Sequence, residues 1–349
     1  MKILYAIQGT GNGHLSRARD IIPILEKKGE LDVLISGTQA DVSLDYPIKY
    51  RFNGLSFVFG KKGGVDFKKT FLQADTRKFY KEIARLPLEG YGLIISDFEP
   101  VSAWACKVKR KLCIGLSHQS AVLSPNAPKP EKDDKLGRLI LKNYAPVNVQ
   151  YGFHFNHFDS ATFTPVIRRQ IRQLEVSDQG HYTVYLPAYD DERLYNILSQ
   201  FKQVKWQVFS KHNKNAFQLG NVSIQPLSNE AFIQSMASCT GILCGAGFET
   251  PAEALFLKKK LMVIPMKNQY EQQCNAAALK QMGVPVIKKL HLKYAPLIYD
   301  WLEQGQIIPV DYPDMTEQII DQIIHTHYTP AIPSIDYMWE QSYKLIPSK

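Results

Sequence analysis

Short runs of apolar and β-branched residues alternate along this chain with longer segments whose apolar positions repeat about every 3.6 residues. In the first half, the short runs predict strands near 2–8, 31–36, 92–96, 111–116 and 161–164, and the longer segments predict helices near 14–28, 69–85 and 99–109. The first helix should bury Leu15, Ala18, Ile21, Ile22 and Leu25, and Pro23 inside it predicts a kink or an early break. Alternation of this kind favours parallel sheets flanked by helices.

A polar segment containing Arg168, Arg169 and Arg172 interrupts this rhythm, which restarts at Tyr182. In the second half we predict strands near 182–186, 204–209, 222–225, 241–244, 261–264 and 285–287, and helices near 190–202, 229–237, 251–257 and 269–282. The expected fold is α/β, with two Rossmann-like, doubly wound parallel-sheet domains facing a cleft. The predicted bounds are 1–165 for the N-terminal domain, 166–180 for a linker, 181–325 for the C-terminal domain and 326–349 for a C-terminal segment.

A glycine-rich turn directly follows the predicted strand at 241–244. It consists of Gly245, Ala246, Gly247, Phe248 and Glu249, and a helix should start at about Thr250 or Pro251. Glycines let the backbone approach a phosphate, and the free N–H groups of a first helical turn carry partial positive charge. Glu253 would lie in that first turn, within reach of a ribose diol. Gln272 and Asn275 lie one turn apart on a later helix and can face the same ligand.

The ordered set predicts a site for a nucleoside diphosphate. A generic strand–glycine–helix turn is the alternative, but it leaves Glu253, Gln272 and Asn275 without a role.

A second glycine-rich loop follows the first strand. Its glycines are Gly9, Gly11 and Gly13, and His14 stands where a dinucleotide-binding loop would have its third glycine. Residues 34–37 also lack the acid that binds a dinucleotide ribose, which argues against a nicotinamide or flavin enzyme. Imidazole titrates near neutral pH, so His14 is a candidate for the base that deprotonates an acceptor hydroxyl. A hydrogen bond from His14 to the donor phosphate is the alternative.

Two further polar side chains follow predicted strands of the first half. Asp97 ends the central strand and is a candidate catalytic base, or a residue that orients His14 or His118. Capping of the next helix by Asp97 is the alternative. His118 follows the next strand and should face the same cleft, on its acceptor side.

The two loops together resemble the GT-B glycosyltransferases, in particular family 28, which contains the peptidoglycan N-acetylglucosaminyltransferase and the macrolide glycosyltransferases. The resemblance is concentrated in residues 241–279 and 8–14. It implies that Glu253 binds the ribose hydroxyls, that the Gln272–Ala276 element contacts the sugar, and that the loop ending in His14 serves the acceptor side. It also implies that a C-terminal helix near 337–343 crosses back onto the first domain. The turn at 186–189 departs from the glycine- and serine-rich turn of many members, which leaves base recognition there open.

The activity implied by the resemblance is transfer of a sugar from a nucleotide-diphosphate donor, with UDP expected on family precedent. The acceptor would be the hydroxyl of a small molecule, a glycan or a lipid-linked compound. Loop and helix amides usually offset the charge on the leaving diphosphate in such enzymes, so we expect neither a metal nor a cofactor. Retaining members commonly have a glutamate eight positions before the one at Glu253, and Gly245 stands there, which favours inversion. The alternatives are a UDP-sugar epimerase of the same fold and a non-catalytic sugar-nucleotide-binding module.

Composition narrows the expected setting. No apolar run in the 349 residues is long enough to span a membrane, and the five cysteines form no Cys-x-x-Cys pair, which favours a reducing cytoplasm. The net charge of +9 and basic clusters such as 107–111 suit anionic donors and peripheral association with the anionic inner face of a membrane, in cell-envelope glycan or glycolipid synthesis. The sequence has no nucleic-acid-binding motif, and the His154/His157 and His325/His327 pairs lack the further ligands of a metal site.

Overall fold

The computed structural model describes residues 1–10, 12–37, 44–55, 75–132 and 134–328. Within them the chain forms two sheets flanked by helices, and the predicted α/β fold with two parallel-sheet domains is confirmed. Part of the predicted helix at 69–85 and all of the predicted C-terminal helix near 337–343 lie outside the described residues.

The first sheet has seven strands, and all neighbouring strands in it run parallel. In chain order they are β1 (Lys2–Gln8), β2 (Glu30–Ser36), β3 (Ile48–Phe52), β4 (Leu93–Asp97), β5 (Ile114–Leu116), β6 (Val149–Phe153) and β7 (Thr162–Phe163). Across the sheet the order is β3-β2-β1-β4-β5-β6-β7. The central strands β1 and β4 are almost wholly buried, as expected for parallel strands covered on both faces.

The sequence pattern does not predict β3 and β6. In β3 the residues Lys49 and Arg51 are exposed and alternate with half-buried ones, so no continuous apolar run marks this edge strand. In β6 the apolar run is broken by Gly152, although the strand itself is continuous. A Cβ on Gly152 would lie 2.3 Å from the Ala121 amide nitrogen. The glycine is therefore needed for the helix that packs on this strand.

Among the described residues of the first half, the helices are α1 (Asn12–Lys28), α2 (Thr76–Arg85), α3 (Pro100–Lys109), α4 (His118–Leu123) and α5 (Lys135–Tyr144). Helix α1 buries the predicted apolar face. The break predicted at Pro23 is wrong, because the helix continues through this residue, which lies on the exposed side.

The segment 166–180, predicted to be a polar linker, connects the two sheets and has a buried side. Val166, Ile167 and Ile171 pack into the hydrophobic core, and a short helix, α6 (Arg169–Arg172), lies within the segment. The apolar residues are interspersed with arginines, and this spacing explains why the segment is polar in sequence yet anchored in the structure.

The second sheet contains β8 (His181–Tyr185), β9 (Lys205–Ser210), β10 (Phe217–Leu219), β11 (Val222–Pro226), β12 (Gly241–Gly245) and β13 (Lys260–Ile264). The order is β10-β11-β9-β8-β12-β13, and β10 is antiparallel to β11 whereas the other neighbours are parallel. The predicted strand at 285–287 is reduced to one parallel bridge between Val263 and Val286. The helices that follow α6 are α7 (Asp191–Leu198), α8 (Asn229–Ser238), α9 (Glu249–Phe256), α10 (Tyr270–Gln281), α11 (Ala295–Gln304) and α12 (Thr316–His327).

Helix α12 returns to the first sheet and packs against α1. Lys28 of α1 binds Asp321 at 2.7 Å and Glu317 at 3.0 Å, and the hydroxyl of Tyr151 lies 2.8 Å from Nε2 of His327. The chain therefore already contacts the first domain before residue 329.

The carboxyl ends of β1, β4, β5 and β12 lie at the junction between the two sheets, since side chains that follow these strands contact one another across it. In open parallel sheets this is the end at which ligands bind.

Candidate active site

The loop after β1 lies against the end of β2. The Gly9 amide donates to the Ser36 carbonyl at 2.6 Å, and a Cβ on Gly9 would lie 2.9 Å from Cγ2 of Ile35, so a side chain does not fit there. Gly11 is outside the described residues. Gly13 belongs to the first turn of α1, and a Cβ on it would lie 3.2 Å from Cγ of Glu249. The two predicted glycine loops are thus neighbours in space.

His14 and Asp97 form a hydrogen-bonded pair in which Nδ1 lies 2.8 Å from Oδ1. Burial alone would raise the pKa of Asp97, but Arg17 and His14 hold that pKa below its ordinary value, so the carboxylate is ionised and only accepts. Nδ1 therefore carries a proton, and in the neutral ring the lone pair is on Nε2. In the opposite tautomer Nδ1 would accept from Arg17 Nη2, 3.2 Å away, but its lone pair would face the carboxylate and be repelled.

Asp97 does not have the capping role that the sequence left open. Glu99 caps α3 instead, since its carboxylate accepts from the amides of Val101 at 2.7 Å and Ser102 at 2.6 Å. Asp97 is thereby available to orient His14.

Arg17 is a site residue that the sequence prediction missed. It is only 2% exposed, and its Nη2 donates to both oxygens of Asp97, at 2.7 and 2.8 Å, while Nη1 donates to Oε1 of Glu249. Burial alone would lower the pKa of Arg17, but the two carboxylates raise it. The available signal was its spacing: Arg17 lies three residues after His14 and so on the same face of α1.

Glu253 lies deeper in its helix than predicted. Because α9 begins at Glu249, Glu253 is its fifth residue and belongs to the second turn, not the first. Its carboxylate is 3% exposed and accepts from Nε of Arg168 and, at 2.8 Å, from Nη2 of Arg168. The acid that is expected to bind a ribose is thus hydrogen-bonded to Arg168, a residue that the sequence analysis placed in a polar linker.

Gln272 and Asn275 on α10 hold the backbone around the turn at 245–249. Oε1 of Gln272 accepts from the Met266 amide at 2.9 Å, and Nδ2 of Asn275 donates to the Ala246 carbonyl at 3.1 Å. A Cβ on Gly245 would lie 3.8 Å from Oε1 of Gln272, whereas one on Gly247 would meet no described atom within 4 Å. Both predicted side chains therefore lie at the turn, as the spacing predicts.

His118 is at the contact between the domains and is 1% exposed. Its ring stacks on Phe248 with centroids 3.9 Å apart, Nδ1 lies 2.8 Å from the Phe153 carbonyl oxygen, and Nε2 lies 2.7 Å from Oδ1 of Asn275. We expected His118 on the acceptor side of the cleft; here it faces the donor turn.

Gln119, also missed, adds a second contact across the cleft. Its Nε2 donates to Oε2 of Glu271 at 3.0 Å and lies 3.4 Å from Nε2 of His14. An amide donor beside Nε2 fits the tautomer that leaves the lone pair there.

The described residues contain no group of three or more His, Cys, Asp or Glu side chains arranged to hold a metal ion. The charged groups of the site include the two arginines, the carboxylates that they bind, and Glu271.

The family model described as Glycosyl transferase family 1 matches residues 1–303. The chain belongs to glycosyl transferase family 1. The predicted enzyme class, a glycosyltransferase, is confirmed by this match. No curated protein matches the chain.

Solved glycosyltransferase structures share the fold of this family 1 chain. Acinetobacter baumannii MurG is 14% identical, with a TM-score of 0.55 over 93% of this chain and 99% of that one. The spinosyn forosaminyltransferase SpnP is 12% identical, with a TM-score of 0.53 over 99% of both chains. Arabidopsis thaliana UGT89C1 complexed with UDP is 11% identical, with a TM-score of 0.52 over 98% of this chain and 99% of that one. The predicted GT-B fold is confirmed.

In the part of the family 1 chain that the structure describes, every helix is too short or too polar to cross a membrane.

Proposed function

We propose that this glycosyltransferase moves a sugar from a nucleoside diphosphate donor, with UDP as the first nucleotide to test, to an acceptor hydroxyl by direct inverting displacement without a metal. The observation that carries the proposal is the His14–Asp97 pair beside the turn at 245–249. An imidazole whose Nδ1–H is held by a carboxylate can take the proton of an attacking hydroxyl on Nε2, once the acceptor replaces Gln119 beside that atom.

The donor side rests on α9 and the turn before it. Phe248 is the N-cap of α9 and makes no side-chain hydrogen bond to the first turn, so the amides of Glu249 and Thr250 can bind an anion, whereas Pro251 has no N–H. Charge that develops on the leaving diphosphate would be offset by these amides and by nearby guanidinium groups. UGT89C1 was solved with UDP and with quercetin, which supports a UDP-sugar donor and a hydroxyl-bearing acceptor here.

Substrate entry requires the cleft to open. The contacts His118–Asn275, Gln119–Glu271 and Arg17–Glu249 all join the first domain to the second. The structure therefore corresponds to a closed arrangement, and the catalytic cycle includes separation of these pairs.

A lipid-linked acceptor at an anionic membrane is the form of the proposal that the surface of α5 supports. Leu136 and Leu139 on this helix are 58% and 59% exposed, and Lys135, Arg138 and Lys142 are exposed beside them. Helix α5 borders the cleft, because a Cβ on Gly137 would lie 2.7 Å from the Cβ of Tyr270 on α10. An apolar and basic surface next to the cleft suits an acceptor embedded in anionic lipid.

The experiment is a turnover assay with UDP-, dTDP-, GDP- and ADP-sugars, with and without an acceptor mixture and with and without a chelator. We expect release of one nucleoside diphosphate that depends on acceptor, survives chelation and is lost in His14→Ala. His212→Ala is the matched control, because His212 is exposed on the second domain and should retain full activity. NMR of the product should show a β anomer from an α-linked donor.

The alternatives predict different results. Donor turnover without an acceptor would indicate the epimerase, and donor binding without any turnover would indicate the non-catalytic module. A mainly α product from an α-linked donor would contradict inversion.

A further inference from the structure

The Glu249 carboxylate fills the gap between the two glycine loops. Glu249 is the first residue of α9, and a Cβ on Gly13 of α1 would lie 3.2 Å from its Cγ and 3.6 Å from its Oε1. Under the proposed function, a diphosphate bound at the N-terminus of α9 and facing the first domain has to lie in this same gap.

Arg17 brings a cation to the gap from the first domain. It is 2% exposed and binds both Asp97 and Glu249, but its Nε–H has no acceptor among the described residues. A guanidinium offers parallel N–H donors that match the oxygens of a phosphate. A buried guanidinium with an unused donor, facing a helix N-terminus, is therefore suited to hold a phosphate group.

The gap already carries more negative than positive groups. The charged and titratable side chains that act on Glu249 are Arg17, His14, Tyr5, Asp97, Glu253 and Arg168. Burial raises the pKa of Glu249 to about 7, with Glu253 and Asp97 adding to the rise and Arg17 and His14 opposing it. Because a donor diphosphate adds further negative charge, an ionised Glu249 and the diphosphate repel each other in this space.

We propose that Arg17 is the first-domain ligand of the donor diphosphate, and that the Glu249 carboxylate takes the place of the diphosphate on Arg17 when no donor is bound. This inference rests on the proposed function. On donor binding, a phosphate oxygen replaces Oε1 of Glu249 as the partner of Arg17, and Glu249 leaves the gap or takes up a proton. Arg17 remains bound to Asp97, so the exchange occurs next to the residue that orients His14.

Glu249→Gln tests the exchange, because the amide keeps the shape of the side chain and removes its charge. The probes are UDP-glucose, dTDP-glucose, GDP-glucose and ADP-glucose. Both phosphates of each probe are esterified at both ends and do not titrate near neutral pH. Affinity is measured by calorimetry from about pH 6 to pH 9. Wild-type affinity should fall as the pH rises above about 7, since ionised Glu249 then competes for Arg17. At about pH 8.5 the variant should bind at least about tenfold more tightly than wild type, and its affinity should fall less than that of wild type between about pH 6 and pH 9.

Glu192→Gln is the matched control. Glu192 is an exposed glutamate in the first turn of α7 in the same domain, so the substitution makes the same change in net charge away from the gap. It should reproduce the wild-type affinity and pH profile. Arg17→Lys should weaken donor binding about tenfold across the pH range, because an ammonium group does not replace the paired guanidinium donors.

The possible results separate the two proposals. If Glu249→Gln binds a donor with the wild-type affinity and pH profile, the exchange is wrong and the proposed function stands. If neither wild type nor Glu249→Gln binds any of the four probes, both are wrong.

Discussion

Arg168 of the linker binds Glu253 of α9 through two hydrogen bonds, one from Nε and one from Nη2 at 2.8 Å. The two residues are 85 positions apart, and both are at least nine-tenths buried. Nη1 of Arg168 also donates to Oδ1 of Asn229 at 2.8 Å, so the guanidinium ties the linker to α8 as well. Burial alone would lower the pKa of Arg168, but Glu253 raises it and so keeps the guanidinium charged. The family resemblance assigns Glu253 to the ribose, and the ion pair adds a structural role that a test has to separate.

Glu253→Ala should lower the free energy of unfolding by about 3–5 kcal/mol, because it leaves the Arg168 guanidinium buried without its carboxylate. The double variant Arg168→Met with Glu253→Leu should recover most of this loss, since an apolar pair of similar size fills the same space. Urea unfolding of the three proteins measures both effects. If Glu253→Ala is as stable as wild type, the Arg168–Glu253 ion pair is not formed in solution.

The same double variant tests the ribose role in one direction only, because it also removes the positive charge of Arg168 from the site. If Glu253 binds the ribose, the double variant should bind UDP at least about tenfold more weakly than wild type even though its packing is restored. This factor is the one expected for a lost hydrogen bond to a charged group. UDP affinity equal to that of wild type would restrict Glu253 to its pairing with Arg168.

Asp97→Asn should lower kcat by at least about 100-fold, because a neutral amide no longer holds the proton of His14 on Nδ1. Donor affinity should change less than kcat, since Asp97 acts on the donor only through Arg17, whereas it holds the Nδ1 proton of His14 directly. Steady-state kinetics and donor titration on the same preparation separate the two effects. A kcat within a few-fold of wild type would remove Asp97 from the catalytic pair.

The fold was predictable where the pattern of the chain is local. Strand β4 lies within one residue of its prediction, because an apolar run is enough to identify a buried central strand. Helix α1 starts two residues before its predicted start and ends where predicted, because its apolar positions repeat over several turns. Strand β3 alternates half-buried with exposed residues at the edge of the sheet, and its sequence therefore resembles a loop.

The candidate site was predictable only in part, for the same physical reason. Local spacing and glycine patterns mark the two loops, His14 and Asp97. The partners of Arg17 are 80 and 232 positions away, and those of His118 and Gln119 lie across the domain contact. A single arginine in a helix carries no signal for such pairs until the fold brings the carboxylates to it.

Acid should destabilise the contact between the domains through His118 and His154, whose rings lie 5.0 Å apart. Burial lowers the pKa of His118, and burial together with His118 and Lys129 lowers that of His154 well below its ordinary value. Below the unfolded-state pKa of about 6.5 the unfolded chain binds more protons than the folded one, so stability falls as the pH falls. Each histidine should lower the free energy of unfolding by up to about 1.4 kcal/mol for each pH unit below about 6.5.

His154→Asn tests this dependence, because the Asn oxygen can replace Nδ1 as the acceptor of the Phe155 amide without titrating. Urea unfolding between about pH 5 and pH 7 should show a shallower loss of stability than wild type. His291→Asn is the matched control. Nδ1 of His291 also accepts from a nearby backbone amide, that of Lys293, but His291 is exposed. An unchanged slope in His154→Asn would show that His154 does not titrate in the folded protein differently from the unfolded chain.

The surface of α5 predicts binding to anionic lipid. Leu136→Glu with Leu139→Glu should abolish co-sedimentation with phosphatidylglycerol vesicles, because the two side chains supply the apolar contact and the added charges are repelled by the headgroups. The binding free energy should gain about 1 kcal/mol from each of the exposed residues Lys135, Arg138 and Lys142 near an anionic surface. Binding should therefore weaken with salt and be absent on phosphatidylcholine vesicles.

The control for the α5 surface is Leu292→Glu with Leu297→Glu, which places the same two charges on leucines of the second domain that are each 50% exposed, outside the basic face of α5. It should leave vesicle binding intact and so separate a specific surface from a general effect of net charge. Equal loss in both variants would mean that the overall charge of +9, and not α5, draws the protein to lipid. Retained binding in the α5 variant would remove this helix as the membrane contact, and would favour an acceptor that reaches the cleft from solution.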